Sequence, residues 1–363
     1  MRRMLTIMMA VAVAMLAFTP VAASAATGWV LQTTANPASG TLNMLTSVSC
    51  PSATNCIAVG SQQTSAGVST ALAEHWNGST WALQTAVNPS GGTGVSLNAV
   101  SCPSATFCIA VGVNQPTVQN STAVAESWNG SAWTLLSPAS PAGAWLSGVS
   151  CTSTSNCEAV GRDTAGSLAE HWNGSGWAAQ TAPALAGGLS AVSCVSTSDC
   201  EAISVGSTDA LFWNGSTWTT QTFLSGDAFA VSCASTTSCE AVGYRIVGED
   251  VLALAEHWNG STWAYQTTAS PNDNAALYGV SCASATSCVA AGVYDTTTGD
   301  GATLAEIWNG STWTQQSSPN PSGAEDANFQ GISCPSTADC TAVGDWYATS
   351  PSLARTLGEQ WTS

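Results

Sequence analysis

Apolar and polar positions alternate over short stretches of this chain, and turn residues close each stretch. In TSVSCPSATNCIAVG, from Thr46 to Gly60, a first strand ends at Cys50, a tight loop follows, and Cys56 opens a second strand. After a polar loop, ALAEHW (Ala71–Trp76) reads as a third strand and STWALQ (Ser79–Gln84) as a fourth, with Asn77-Gly78 between them. Side chains of a strand point alternately to two faces, and a type I′ hairpin turn needs positive φ at both central residues, which Asn-Gly supplies. The register predicted for this turn sets Trp76 against Ser79 and Glu74 against Trp81, with Glu74, Trp76 and Trp81 on one face.

The same unit recurs along the chain. Between the first cysteines of successive C-x5-C pairs the spacing is 52, 49, 43, 39, 49 and 52 residues. Four strands in about 40 to 50 residues, repeated seven times, predict an all-β fold, a seven-bladed β-propeller of four-stranded antiparallel blades. The seventh unit reaches Trp361 with too few residues left for a fourth strand, and GWVLQTTANPASG from Gly28 matches TWALQTAVNPSGG from Thr80. The N-terminal strand is therefore expected to close the last blade, 329–363 being completed by 28–34. Closure removes an open sheet edge that would invite aggregation.

The first 25 residues, two arginines followed by an apolar run and Ala23-Ser24-Ala25, read as a secretory signal peptide, leaving 26–363 as the propeller. No later stretch approaches the roughly 20 apolar residues of a membrane span. Export bears on the fourteen cysteines, which pair by spacing as Cys50/Cys56, Cys102/Cys108, Cys151/Cys157, Cys194/Cys200, Cys233/Cys239, Cys282/Cys288 and Cys334/Cys340. An even count at fixed spacing in an oxidising compartment indicates disulfides. A metal site would need close pairs brought together or a repeating histidine, and only three histidines exist.

Downstream of the signal there is no lysine, and Arg162, Arg245 and Arg355 stand against twenty-two Asp and Glu. Such a surface repels phosphates, so nucleic acid is excluded as a partner, as are anionic membranes. The recurring Glu (Glu74, Glu126, Glu170, Glu256, Glu306, Glu359) sits at one strand position in six units and is replaced by Leu211 in the fourth. Six equivalent carboxylates do not make the differentiated pair of a glycosidase. They are expected to accept hydrogen bonds from a Trp indole or a backbone N–H, because burial without partners is costly. The WNG[ST] turns also match glycosylation sequons, but turn chemistry already accounts for them.

Variation is concentrated in the loops between second and third strands and in the Pro/Gly/Ser-rich links between units, which a propeller places on one face. Binding residues gather on loops held by a rigid scaffold. Arg162-Asp163, Tyr244-Arg245, Tyr294-Asp295 and Asp345-Trp346-Tyr347 are the charged and aromatic groups there that depart from the repeat, and they are the candidate ligand-binding residues. No catalytic constellation is legible. DTTTGDG (Asp295–Gly301) fits a calcium loop poorly, so no cofactor or metal is expected beyond that weak calcium signal.

VSCPSATFCIAVG and LAEHWNGSTW resemble a group of secreted bacterial propeller-repeat proteins, and the resemblance covers nearly all of the chain after the signal. The turn is also similar to the Asp-box of sialidase-like propellers: Gly78, Thr80 and Trp81 match, while Trp76 stands where the Asp belongs, which speaks against sialidase chemistry. The reading is an exported, disulfide-stapled, monomeric propeller that binds an extracellular glycan or protein on its variable face. An extracellular polysaccharide hydrolase or lyase using Asp163, Asp295 or Asp345, and a passive interaction scaffold, are the alternatives.

Overall fold

The computed structural model describes residues 27–362 apart from 39, 90–93, 118–119, 224–225, 272–273 and 349–352. The predicted signal segment, 1–25, lies outside the described residues. Those described form 28 β-strands and no helix. β1 (Gly28–Gln32) is followed by β2 (Gly40–Ser52), β3 (Asn55–Thr64), β4 (Ser69–Trp76) and β5 (Trp81–Gln84), of which β2 to β5 pair in order as an antiparallel meander, here called unit 1. Five further four-stranded sheets repeat this order as units 2 to 6. Unit 7 has strands Ala324–Ser333, Asp339–Ala348 and Leu353–Thr362, and β1 pairs antiparallel with the last of them, Trp29 opposite Trp361. A single parallel bridge, Leu42 to Ala354, joins units 7 and 1 into one eight-stranded sheet.

The first strands of the units form a closed ring of neighbours, each touching the next, and Ala324–Ser333 touches β2. The serine before each first cysteine holds this ring together. The amide of Cys102 donates to Ser49 Oγ at 2.9 Å, Cys151 to Ser101 at 3.0 Å and Cys194 to Ser150 at 3.0 Å. Cys233, Cys282 and Cys334 donate likewise to Ser193, Ser232 and Ser281, each at 2.9 Å, and Cys50 donates to Ser333 at 3.0 Å. The circuit returns to its start after the seventh bond.

All seven C-x5-C pairs are disulfides: Cys50–Cys56, Cys102–Cys108, Cys151–Cys157, Cys194–Cys200, Cys233–Cys239, Cys282–Cys288 and Cys334–Cys340. No cysteine is free among the described residues. Each bond staples the hairpin between the first two strands of its unit. The second cysteine of every pair, Cys56, Cys108, Cys157, Cys200, Cys239, Cys288 and Cys340, is buried in the core. The pairs are therefore parts of the scaffold, with the first cysteines of units 3 to 7 partly exposed. Seven such bonds imply an oxidising environment for the folded chain. No helix of the described residues is long and apolar enough to cross a membrane.

The Asn-Gly hairpins differ from the predicted register by two residues. Trp76 faces Trp81 and Glu74 faces Leu83, so the loop holds four residues. The cause is the Asn77 side chain, whose Oδ1 accepts from the amides of Ser79 and Thr80, both at 3.0 Å, while only Gly78 takes positive φ. That arrangement ends the ladder before a two-residue turn can form. A shift of two preserves the faces: Glu74, Trp76 and Trp81 still point into the core.

The repeated glutamates are buried and latch the incoming link of their own unit. Glu74 Oε2 accepts from the Ala35 amide (2.9 Å), Glu126 from Val87 (2.9 Å), Glu170 from Ala139 (2.8 Å) and Glu306 from Ala269 (2.8 Å), while Glu359 takes the Ser318 hydroxyl (2.9 Å). Burial pushes Glu74 and Glu126 up to about 7 and Glu359 up to about 8. Units 3 to 5 bury a carboxyl after the second cysteine, additional to the repeated one in units 3 and 5: Glu158 and Glu240 lie 2.8 Å from His171 and His257, and Glu201 accepts from Gln221. With Asp345, ten of the twenty-two carboxyl groups are buried, so the surface is much less acidic than the formal charge of −17 indicates.

Candidate functional site

The glycine of each AVG triplet positions the variable face. A Cβ on Gly243 would stand 1.8 Å from the Asp227 carbonyl, and one on Gly60 2.0 Å from that of Met44, so only glycine permits the two strands to approach there. In unit 4 Ser204 occupies that place, and the second strand stops at Ile203. Beyond the glycine, the next residue of the second strand faces the start of the first strand. In unit 5 this sets Tyr244 opposite Asp227.

Around that pair lies a cleft of about 570 Å³ between units 4 and 5, lined by Gly206, Thr208, Asp227, Tyr244, Arg245 and Ile246 among others. Asp227 Oδ1 accepts from the Gly206 amide at 2.6 Å, which ties the unit 4 loop to unit 5. Tyr244 donates its hydroxyl to Asp227, and this bond, together with burial, holds the phenol above its usual range. Arg245 lies over the Tyr265 ring, 4.7 Å from its centre, and donates to the Tyr265 hydroxyl at 3.1 Å. A planar cation packed on an aromatic face keeps its outer edge available for acceptors. Ile246, at the rim, is 68% exposed.

The remaining candidates are distributed around the face. Arg162 lies over Trp145, 4.3 Å from the ring centre, and Asp163 caps its own turn by accepting from the Ala165 amide at 2.7 Å. Tyr294 packs against the core of unit 6, and Asp295 lines a separate cleft with Asn274 and Thr296. Asp345 is buried, which pushes it up to about 6, and it takes hydrogen bonds from Asn328 and Tyr347. Tyr347 is raised in turn, by burial first and by the Asp345 charge second. Trp346 lies beneath Arg355, 5.9 Å away, and lines a third cleft. The fold therefore brings Tyr244 to Arg245 and Asp345 to Tyr347, and leaves Asp295 and Trp346 in other clefts. Each of the three arginines lies over an aromatic ring, with no Arg–carboxylate ion pair among the described residues. The Asp295–Gly301 loop turns inward on itself, Thr298 donating to Asp300 at 2.7 Å, and the described residues contain no group of three or more His, Cys, Asp or Glu placed to hold a metal ion.

Sequence reasoning passed over the centre of the disc. A channel of about 230 Å³ is lined by one triplet from the first strand of each unit, from Thr46–Val48 round to Gln330–Ile332. The leading residue of the triplet is Thr46, Asn98, Ser147, Ser190, Phe229, Tyr278 or Gln330. In six of the units it sits at a β-bulge, as between Leu45 and Ser47, and in unit 4 it immediately precedes the strand. The signal was present as the variable letter before [AGS]-[VI]-S-C in an otherwise constant motif. Phe229 connects this ring to the cleft, its centre 5.6 Å from that of Tyr244 and 5.3 Å from that of Tyr278.

No family model matches the chain, and no curated protein matches it as a relative. Similar solved structures include virginiamycin B lyase from Staphylococcus aureus, with a TM-score of 0.63 and 9% identity over 92% of this chain and 100% of that one. YCF48 bound to D1 peptide gives 0.60 and 13% over 94% and 98%, and the WD40 repeats of RRP9 give 0.57 and 8% over 93% and 98%. At such identities the likeness is one of fold, and the fold shared by all three is the β-propeller.

Proposed function

We propose that this chain is an exported, seven-bladed β-propeller, 26–363 after a signal peptide, that binds an extracellular glycan or protein without catalysing a reaction. The binding face carries the second-to-third strand loops and the links between units. The observation that supports this most is the cleft at Asp227, Tyr244 and Arg245. It is concave, it joins an aromatic ring, a guanidinium and loop hydroxyls, and it departs from a scaffold that is otherwise repetitive. The seven Ser–Cys bonds that close on themselves favour the blade count, and the likeness to a propeller bound to a peptide fits a binding role.

Glycan and peptide arrays probed with protein starting at Thr27, produced in an oxidising compartment, test this reading. Selective binding that falls at least about tenfold in Tyr244→Ala or Arg245→Ala is the expected result. Full binding in both variants would move the site elsewhere. A second reading, a polysaccharide hydrolase or lyase, draws on Asp345 alone, whose carboxyl is raised to about 6 beside Tyr347. Turnover of a polysaccharide that disappears in Asp345→Asn would establish it instead.

A further inference from the structure

Of the seven leading residues of the channel triplets, three bond to the next unit and four, Ser147 among them, do not among the described residues. Thr46 donates to the Leu97 carbonyl at 2.7 Å, Asn98 to Leu146 at 2.8 Å, and Ser190 to Ala228 at 2.9 Å. In each case the acceptor is the residue just before the same position in the next unit, so the side chain links neighbouring units. Phe229 has no donor to offer, and Tyr278 makes no such bond among the described residues. Gln330 turns its amide to Asn328 at 2.7 Å, and Asn328 bonds the buried Asp345. Units 5 to 7 thus line one arc of the channel with side chains that do not perform the linking role, and that arc runs into the cleft through Tyr244.

Resting on the reading of the variable face as a binding face, we infer that Phe229 and Tyr278 form the stacking wall of a subsite for a single neutral sugar ring, the terminal residue of a glycan whose remainder lies in the cleft at Tyr244 and Arg245. The channel residues carry no charge, which excludes an ionic ligand there. One wall is aromatic, and the wall across from it offers the Ser147 hydroxyl, which makes no linking bond among the described residues, and the acceptor oxygens of Thr46 and Asn98, whose donors are taken by the links. A pyranose has that two-sided character, with C–H faces that stack on rings and hydroxyls around its edge. About 230 Å³ admits one ring and excludes a folded chain. The linking bonds also explain why two aromatics in this position need a role: a small polar residue there serves the scaffold better, as it does in units 1, 2 and 4.

The test uses Phe229→Ser and Tyr278→Asn, which restore residue types that other units carry at this place, beside Arg245→Ala as the cleft variant. Methyl glycosides of glucose, galactose, xylose and N-acetylglucosamine, and the corresponding trisaccharides, are titrated against each protein by saturation-transfer NMR, with Tm measured in parallel. The expected result is ring-proton saturation for one monosaccharide glycoside and a loss of about tenfold in its affinity in both channel variants. Their Tm should be unchanged or raised. Arg245→Ala should weaken the trisaccharide and leave the monosaccharide unaffected. Full monosaccharide affinity in both channel variants, or no saturation of any glycoside by the unaltered protein, overturns the subsite. Trisaccharide or peptide binding that still depends on Arg245 would leave the cleft reading intact.

Discussion

The two faces of the disc are built from the same seven units and do different things with their polar atoms. On the face of the disulfide loops, the recurring contacts are made within the unit. Trp76, Trp172, Trp213 and Trp258 donate to carbonyls of their disulfide loops at 3.2–3.3 Å, and a Cβ on Gly78 would stand 2.9 Å from Thr54. On the opposite face the loops differ in length and composition, clefts open between units, and arginines lie on aromatic rings instead of on carboxylates. The contrast teaches that a residue repeated from unit to unit of this chain is structural because it is buried and spends its polar contacts on the scaffold. Recognition belongs where the repeat is broken.

Breaking the uniform face should have the largest effect. A short-loop disulfide contributes on the order of 2 kcal/mol in the chain-entropy account, and seven together, about 14 kcal/mol, are comparable to the whole net stability of a domain. Reductant at neutral pH is expected to unfold the protein cooperatively at room temperature or to lower Tm by tens of degrees, as calorimetry with and without reductant would show. Retention of most of the Tm would mean that the inter-unit Ser–Cys bonds carry the ring by themselves.

The buried carboxyls predict an unusual pH profile. Their folded pKa values, about 7 for Glu74 and Glu126 and about 8 for Glu201, Glu240 and Glu359, lie above that of an unfolded glutamate, and burial is the first cause in each. The folded state therefore binds more protons than the unfolded one between roughly pH 4.5 and 8, and stability falls as pH rises through that window. Tm should decline steadily from pH 5 to pH 9, the reverse of ordinary acid lability. Several of these groups leave one oxygen without a partner, among them Glu74, Glu126, Glu201, Glu240 and Glu359, as suits a neutral carboxyl. Glu201→Gln should flatten part of the alkaline decline, and a profile identical to that of the unaltered protein would contradict the assignment.

The smallest expected effect sharpens the comparison inside the uniform set. Trp81, Trp218, Trp263 and Trp313 donate to a glutamine of the preceding unit, Gln32, Gln180, Gln221 and Gln266. Trp177 lacks this bond, because Leu136 stands where the glutamine would be, and its indole nitrogen is buried without a partner. Leu136→Gln should stabilise the protein by about 1 kcal/mol, less whatever apolar packing it gives up. A denaturant midpoint that does not rise would show that packing of Leu136 outweighs the missing bond.

Much of the fold is legible in the residues themselves. Strand period, hairpin positions, the disulfide pairs and the closing role of Gly28–Gln32 follow from local pattern and from the count of repeats. The hairpin register departs by two residues from the one that dihedral preference implies, because the Asn77 side chain replaces backbone partners. The candidate residues, expected on loops, lie instead at the ends of the second strands, which extend past the AVG triplet, and Asp163 caps its own turn. Phe229, Tyr278 and Gln330 lie in or beside bulges of the first strands, where no loop pattern marks them.

The sequence by itself determined the repeat, the covalent staples and the order of strands, since each depends on residues a few positions apart whose spacing is fixed by backbone geometry. Only the tertiary structure decided the Ser–Cys circuit, the glutamate latches on incoming links, the burial of ten carboxyl groups and the inward aim of the bulge residues. Most of these arise where one unit meets the next, across some 40 to 50 residues of chain, and a neighbour at that separation is set by ring closure and packing between adjacent units rather than by any local preference.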